Sequence, residues 1–162
     1  MTASPPLNVT IRRAGPDDLS AATTLVDEVW STSNSEFLPE ETLAALKHEN
    51  SIANVMASRC QDLWLADDSE HLAGVMGLAA DGYLWALYVR PEFQRKGIAR
   101  ALLDAGAAVH REKGTLQLTL DLIEGNSTAL DFYRSQGWIE RERRPESLPG
   151  HHTTAIRFEF PL

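Results

Sequence analysis

Tyr88-Val-Arg-Pro-Glu-Phe-Gln-Arg-Lys-Gly-Ile-Ala-Arg-Ala-Leu-Leu103 reads as the end of a strand, a turn and the start of a helix. The apolar run from Tyr83 to Val89 has the length of a buried strand, and Pro91, which lacks an N–H, stops ladder pairing. Beyond it Ile98, Leu102, Gly106 and Val109 recur at helical spacing, with Arg100, Asp104 and Arg111 on the opposite face. The pattern predicts a helix from near Gln94. Its first turn, Gln94-Arg95-Lys96-Gly97-Ile98-Ala99, combines free backbone N–H groups, cationic side chains and small residues at Gly97 and Ala99. The positive end of the helix dipole favours an anion there, and Gly97 lets a phosphate approach the backbone. The alternative is an ordinary helix start with solvated Arg95 and Lys96. Neither a Walker A lysine motif nor a dinucleotide-type glycine triplet is present.

The length of 162 residues suits one domain, expected to span 1–162 with residues 1–6 as a frayed end. Hydrophobic residues at 43% and charged residues at 23% fit a globular protein, and no apolar run approaches the roughly 20 residues of a membrane span. The start has neither the basic segment nor the apolar core of a secretory signal. A single cysteine, Cys60, cannot form an internal disulfide, so cytoplasm is the expected compartment. The net charge of −8 argues against nucleic-acid binding and is compatible with a cationic substrate.

In chain order, Leu7, Val9 and Ile11 alternate as in a half-buried strand. Gly15-Pro16-Asp17-Asp18 starts a helix whose buried stripe is Ala22, Leu25, Val26, Val29 and Trp30. Ser31 to Phe37 reads as a loop, and Pro39-Glu40-Glu41 opens a second helix bearing Leu43 and Leu46, its end falling between Glu49 and Ser58. Leu63–Ala66 and Leu72–Ala79 form a hairpin, and Asp81-Gly82 signals another into Tyr83–Val89, giving an antiparallel meander. Gly114 ends the next helix, and Leu116, Leu118 and Leu120 mark a strand parallel to Tyr83–Val89. Asn126–Gln136 is helical and stopped by Gly137. Strands Trp138–Arg144 and Thr153–Phe160 follow, joined by a mobile-looking Pro145–Gly150 connection and offering edges to a second copy in a homodimer.

Gln94-x-x-Gly97-x-Ala99, after a strand ending in Val-x-Pro, resembles motif A of the GNAT superfamily of acyl-coenzyme A-dependent N-acyltransferases. Asn126-x-x-Ala129-x-x-Phe132-Tyr133-x-x-x-Gly137-Trp138 resembles its motif B, in the expected order. Asn126 and Tyr133 lie seven residues apart, so on a helix both point one way about 10 Å apart. The resemblance covers Val9 to Phe160 and implies an α+β fold: a mostly antiparallel central sheet, flanked by helices and splayed between its fourth and fifth strands. It implies acetyl-CoA as co-substrate, its pyrophosphate on Gln94, Arg95, Lys96, Gly97, Ile98 and Ala99. The pantetheine arm would lie along the main chain of Leu87, Tyr88 and Val89 and meet Asn126, with Tyr133 protonating the departing thiolate. On their own, Asn126 equally suits an N-cap and Tyr133 a packing role beside Phe132.

An amine attacks a thioester as the neutral base, so its proton must go elsewhere. The strand Leu84-Trp85-Ala86-Leu87 lacks the carboxylate found there in one branch of the family. Asp121, at the end of the next strand, matches an acidic position of another branch and is the first candidate base or amine anchor; a turn or cap role is the competing reading. Glu36 and Glu124 are further candidates. His151 and His152 have no third residue at metal spacing, so no metal site is proposed, and Cys60 reads as a buried or incidental thiol. Trp64, Trp85 and Trp138 fit core strands, with Trp85 alternatively lining an acceptor pocket.

The expected activity is therefore transfer of an acetyl group from acetyl-CoA to a small-molecule or peptide amine, without membrane or nucleic-acid partners. A non-catalytic acyl-CoA sensor and an interaction protein presenting Ser31–Phe37 and Pro145–Gly150 are the competing readings. Fold does not fix the acceptor.

Overall fold

A computed structural model describes residues 8–49 and 51–162; Leu7 and the expected frayed end at 1–6 lie outside them. Among the described residues seven strands form two sheets. β1 (Thr10–Arg13), β2 (Leu63–Asp67), β3 (Leu72–Leu78) and β4 (Leu84–Val89) make an antiparallel sheet in chain order. β5 (Gln117–Ile123), β6 (Ile139–Leu148) and β7 (His151–Pro161) make a second antiparallel sheet, ordered β5-β7-β6. The sheets touch through one parallel bridge, Tyr83 to Thr119, where the Thr119 N–H donates to the Gly82 carbonyl at 3.0 Å. Beyond that point β4 and β5 part, as the expected splay requires.

The first sheet is covered on both faces, so β2 and β3 are nearly continuous runs of buried residues rather than alternating ones. On one face Ala22, Leu25, Val26 and Val29 of α1 (Leu19–Asn34) pack on Leu63, Leu65 and Val75, together with Met56 of α3 (Ile52–Ser58). On the other, Ile98, Leu102 and Ala107 of α4 (Ile98–Glu112) pack on Trp64, Met76 and Leu78. Each fully buried leucine, isoleucine or methionine stabilises by about 1.5–3 kcal/mol. Gly106 sets the approach of α4, because a Cβ there would lie 2.7 Å from Leu78 Cδ2 and 2.9 Å from Met76 Cε. α2 (Glu40–Glu49) and α5 (Ser127–Ser135) complete the helices.

Several expected boundaries move. α1 runs on to Asn34, into the expected Ser31–Phe37 loop, because its polar side chains bond back into the helix. Ser31 Oγ donates to the Asp27 carbonyl, Thr32 Oγ1 to Glu28 and Asn34 Nδ2 to Trp30. The stretch after Glu49 contains α3, capped where the Asn54 N–H donates to Ser51 Oγ. The Pro145–Gly150 connection is mostly strand: Pro145 to Leu148 pair with Thr154 to His151, leaving Pro149-Gly150 as the turn. Pro145 fits because β6 is an edge strand, where a missing N–H costs no ladder bond. Cys60 is exposed, not buried.

Candidate active site

The helix expected from Gln94 begins instead at Ile98. Gln94 is extended (φ −70°, ψ 157°), and both Arg95 (φ 62°) and Gly97 (φ 84°) are left-handed, so no helix can pass through them. Glycine takes this conformation freely, whereas for Arg95 it costs about 1–2 kcal/mol, a strain of the kind stored where backbone groups must be aimed. The Gln94 N–H donates to the Pro91 carbonyl and the Ala101 N–H to Gly97. Between them, no N–H from Arg95 to Arg100 has a protein acceptor among the described residues, and no side chain caps α4. Such a run of donors at a helix N-terminus is an anion cradle.

The cradle's side chains divide their work. Gln94 Nε2 donates to the Val89 carbonyl at 2.9 Å, tying the loop to the end of β4. Arg95 and Lys96 are exposed, the Lys96 ammonium lying 5.6 Å from the Phe93 ring centre. Ile98 is buried and Ala99 half-buried, so both present only main chain to a ligand.

β4 is the outer strand of its sheet and therefore exposes a main-chain edge to the splay. Its pairing with β3 slips at Gly77/Leu78, and this irregularity changes which residues share a face. Leu84, Leu87 and Val89 join the α4 side of the core, while Trp85 and Tyr88, three apart, both face α1 and α3. The Trp85 indole lies flat on Gly77, where a Cβ would come within 2.4 Å of the ring, and its Nε1–H donates to Asp62 Oδ2 at 3.0 Å. Trp85 thus packs on the core and also lines a pocket.

That pocket is a cleft of about 330 Å³ between α1, α2, α3 and the α1-facing side of β4, closed by Ile123 and Leu148 at the ends of β5 and β6. Its aromatic walls are Trp30, Trp85 and Tyr88, and Leu38 and Leu46 add aliphatic surface. Lys47 is its charged lining residue; no aspartate or glutamate lines it among the described residues.

Tyr133 sits on α5 behind the splay, 7% exposed and edge-on to Phe132 (5.1 Å) and Trp138 (5.4 Å between ring centres). Its hydroxyl bonds no protein group among the described residues. Burial raises its pKa well above the ordinary phenol value, and the neighbouring Tyr88 phenol raises it further. Burial pushes Tyr88 itself up to about 12. Both phenols are thus held protonated. The extra residue at the irregularity is Trp85, which the slip puts on the Tyr88 face, and an alternation pattern carries no trace of it.

Asn126 is the N-cap of α5, its Oδ1 accepting from the Ala129 N–H at 3.3 Å, while its Nδ2 donates to no described protein group. The cap therefore occupies only half of the amide. Asp121 lies apart from the cleft lining, at the root of the splay. It accepts from Arg157 Nε (2.8 Å) and Nη2 (3.0 Å), Arg144 Nη1 (3.3 Å) and the Tyr83 hydroxyl (3.1 Å). Burial opposes its ionisation, but the bonds from Arg157, Arg144 and Tyr83 outweigh it and hold the carboxyl below its usual value. A carboxylate so occupied is a weak base, and its partners make it a latch joining Tyr83 to the second sheet. Glu36 is exposed in the turn after α1, and Glu124 pairs with Arg143 at 3.1 Å.

The profile of the family described as acetyltransferase (GNAT) domain matches residues 27–148. The aminoglycoside N(6')-acetyltransferase type 1 of Stenotrophomonas maltophilia is 30% identical, over 88% of this chain and 92% of its own. Among solved structures, a GCN5-related N-acetyltransferase from Rhodopseudomonas palustris superposes with a TM-score of 0.77 at 19% identity, covering 94% of this chain and 95% of that one. The PaiA N-acetyltransferase of Thermoplasma acidophilum, in complex with coenzyme A, gives 0.69 at 22% identity, covering 95% of this chain and 100% of the other.

Proposed function

Because the chain belongs to the GNAT acetyltransferase family, we propose that it moves an acetyl group from acetyl-CoA to a primary amine by direct attack in a ternary complex. Acetyl-CoA supplies an acyl group activated as a thioester. The observation that carries this reading is the acceptor-less run of N–H groups from Arg95 to Arg100, placed at the foot of an open strand edge. It suits a pyrophosphate, with Arg95 and Lys96 adding charge and Gly97 leaving the backbone bare.

An extended amide arm fits the β4 edge at Leu87, Tyr88 and Val89 as an added strand, with Asn126 Nδ2 a donor from the opposite wall. A main-chain N–H of that edge would polarise the thioester carbonyl. Tyr133 presents its O–H towards the departing sulfur. In the overall reaction the C–N bond forms, the C–S bond breaks, nitrogen loses one proton and the thiol gains one, so no proton is consumed. With Asp121 held by two arginines and no carboxylate lining the cleft among the described residues, the acceptor enters as the neutral amine, and turnover rises with pH as that fraction grows.

The test is a calorimetric titration with acetyl-CoA on the wild type and Gly97→Trp, followed by thiol release with amines. Micromolar binding lost in the variant supports the site; no heat and no thermal shift in the wild type would end the reading. The missing carboxylate also favours a second reading, a non-catalytic acyl-CoA sensor, which predicts binding without thiol release for any amine.

A further inference from the structure

Resting on that acetyltransferase reading, we propose that the acceptor is a small arylalkyl monoamine rather than a polyamine, a lysine side chain or an amino sugar. The cleft beside the β4 edge carries the argument. At about 330 Å³ it sits at the small end of ligand sites, roughly 300–1,000 Å³, and suits one ring with a short chain.

Its lining is mostly apolar, and two of its few polar donors are already engaged. The Trp85 Nε1–H donates to Asp62, and Asn34 Nδ2 donates to the Trp30 carbonyl. Hydroxyl groups of a sugar would leave water and find few partners, which is unfavourable for each group. A flat apolar ring, by contrast, meets Trp30 and Trp85 and the aliphatic surface of Leu38 and Leu46.

Charge points the same way. Lys47 lines the cleft, its ammonium 3.3 Å from Asp27 at the rim and 5.9 Å from the Trp30 ring centre. Asp27 is thus paired with Lys47 and Asp62 accepts from Trp85, so a second cation on the acceptor would meet the Lys47 ammonium and, among the described residues, no lining carboxylate. A monoamine avoids the conflict: its ring occupies the inner cleft and its nitrogen lies towards Ala86 and Tyr88, where the cleft meets the strand edge.

The experiment titrates cofactor-free protein with 2-phenylethylamine, spermidine and an aminoglycoside by calorimetry, then compares their kcat/KM by thiol release. The expected result is at least tenfold preference for 2-phenylethylamine in both readouts. Leu46→Glu should weaken its binding at least fivefold, and Lys47→Glu should raise spermidine affinity at least threefold; thermal melts confirm that each variant is folded. Equal or tighter binding of spermidine or the aminoglycoside, or no binding of 2-phenylethylamine, overturns the proposal. If 2-phenylethylamine binds but acetyl-CoA does not, the acetyltransferase reading fails and the preference of the cleft stands.

Discussion

Removing a single oxygen from Tyr133 separates its chemistry from its packing. The ring is almost wholly buried and held edge-on by Phe132 and Trp138, so Tyr133→Phe keeps those contacts. The hydroxyl makes no hydrogen bond to the described protein, so the usual loss of about 0.5–1.5 kcal/mol per bond does not arise. Stability should change by less than about 0.5 kcal/mol, or about 2 °C in Tm for a chain of this size. Catalysis should respond differently. A positioned proton donor contributes about 10²–10⁴ in rate, equivalent to about 3–5 kcal/mol of barrier.

The assay measures kcat by thiol release, acetyl-CoA affinity by calorimetry and Tm by scanning. A kcat reduced at least 100-fold, with affinity within twofold and Tm within 2 °C, is the expected pattern. Burial raises the Tyr133 pKa, so its active, protonated form persists throughout the neutral range and above the ordinary phenol value near ~10. The wild-type rate should therefore climb from pH 6 to 9 with the neutral amine and show no falling limb from Tyr133 there. A kcat within threefold of wild type, with binding intact, would refute the role given to this phenol.

Gly97→Ala, at φ 84°, should cost about 1 kcal/mol of stability in urea melts and weaken acetyl-CoA binding severalfold, whereas Gly97→Trp should reduce binding at least 100-fold by calorimetry. Asp121→Asn removes the charge shared by Arg144 and Arg157 and should cost about 2 kcal/mol in urea melts, while kcat/KM stays within threefold; a rate loss with unchanged stability would restore Asp121 as a base. The folded-state pKa of Asp121 is depressed, so its stabilisation is present above its unfolded value near ~3.9 and disappears as pH falls through the lower folded value, which acid titration of Asp121→Asn against wild type will read. Asn126→Ala removes the α5 N-cap and should lower stability by about 1 kcal/mol, with acetyl-CoA affinity falling as well if Nδ2 serves the ligand.

Much of the fold was legible where one physical signal dominated. The period of Ile98, Leu102 and Gly106, the glycine stops at Gly114 and Gly137, and the Asp81-Gly82 turn each reflect local backbone preference. Signals that compete locally were harder to read. Ser31 to Asn34 look like a loop until their side chains bond the preceding helical turn, and α3 is only seven residues long. Ser51 at its N-cap, with Ile52, Val55 and Met56 following at helical spacing, was the available clue. At the site, Gly97 announced itself, but the left-handed Arg95 did not, since arginine carries no preference for that conformation. Asp121 was conspicuous as an acid on a strand end, yet the arginines that occupy it come from strands more than twenty residues downstream.

The strand order β5-β7-β6 also has a consequence for how the protein is made. β5 and β6 do not touch as neighbours; within their sheet each is paired with β7, which leaves the ribosome after both. The first sheet, whose strands emerge in pairing order, can assemble during translation. The second cannot close until His151–Pro161 has appeared, and only then do Arg157 reach Asp121 and the Ile123–Leu148 wall stand against β4. A chain arrested before that strand would carry the cradle and an exposed β4 edge, open to any nascent strand nearby. Emergence of β7 is therefore the step that closes the second sheet and stands the Ile123–Leu148 wall of the cleft in place.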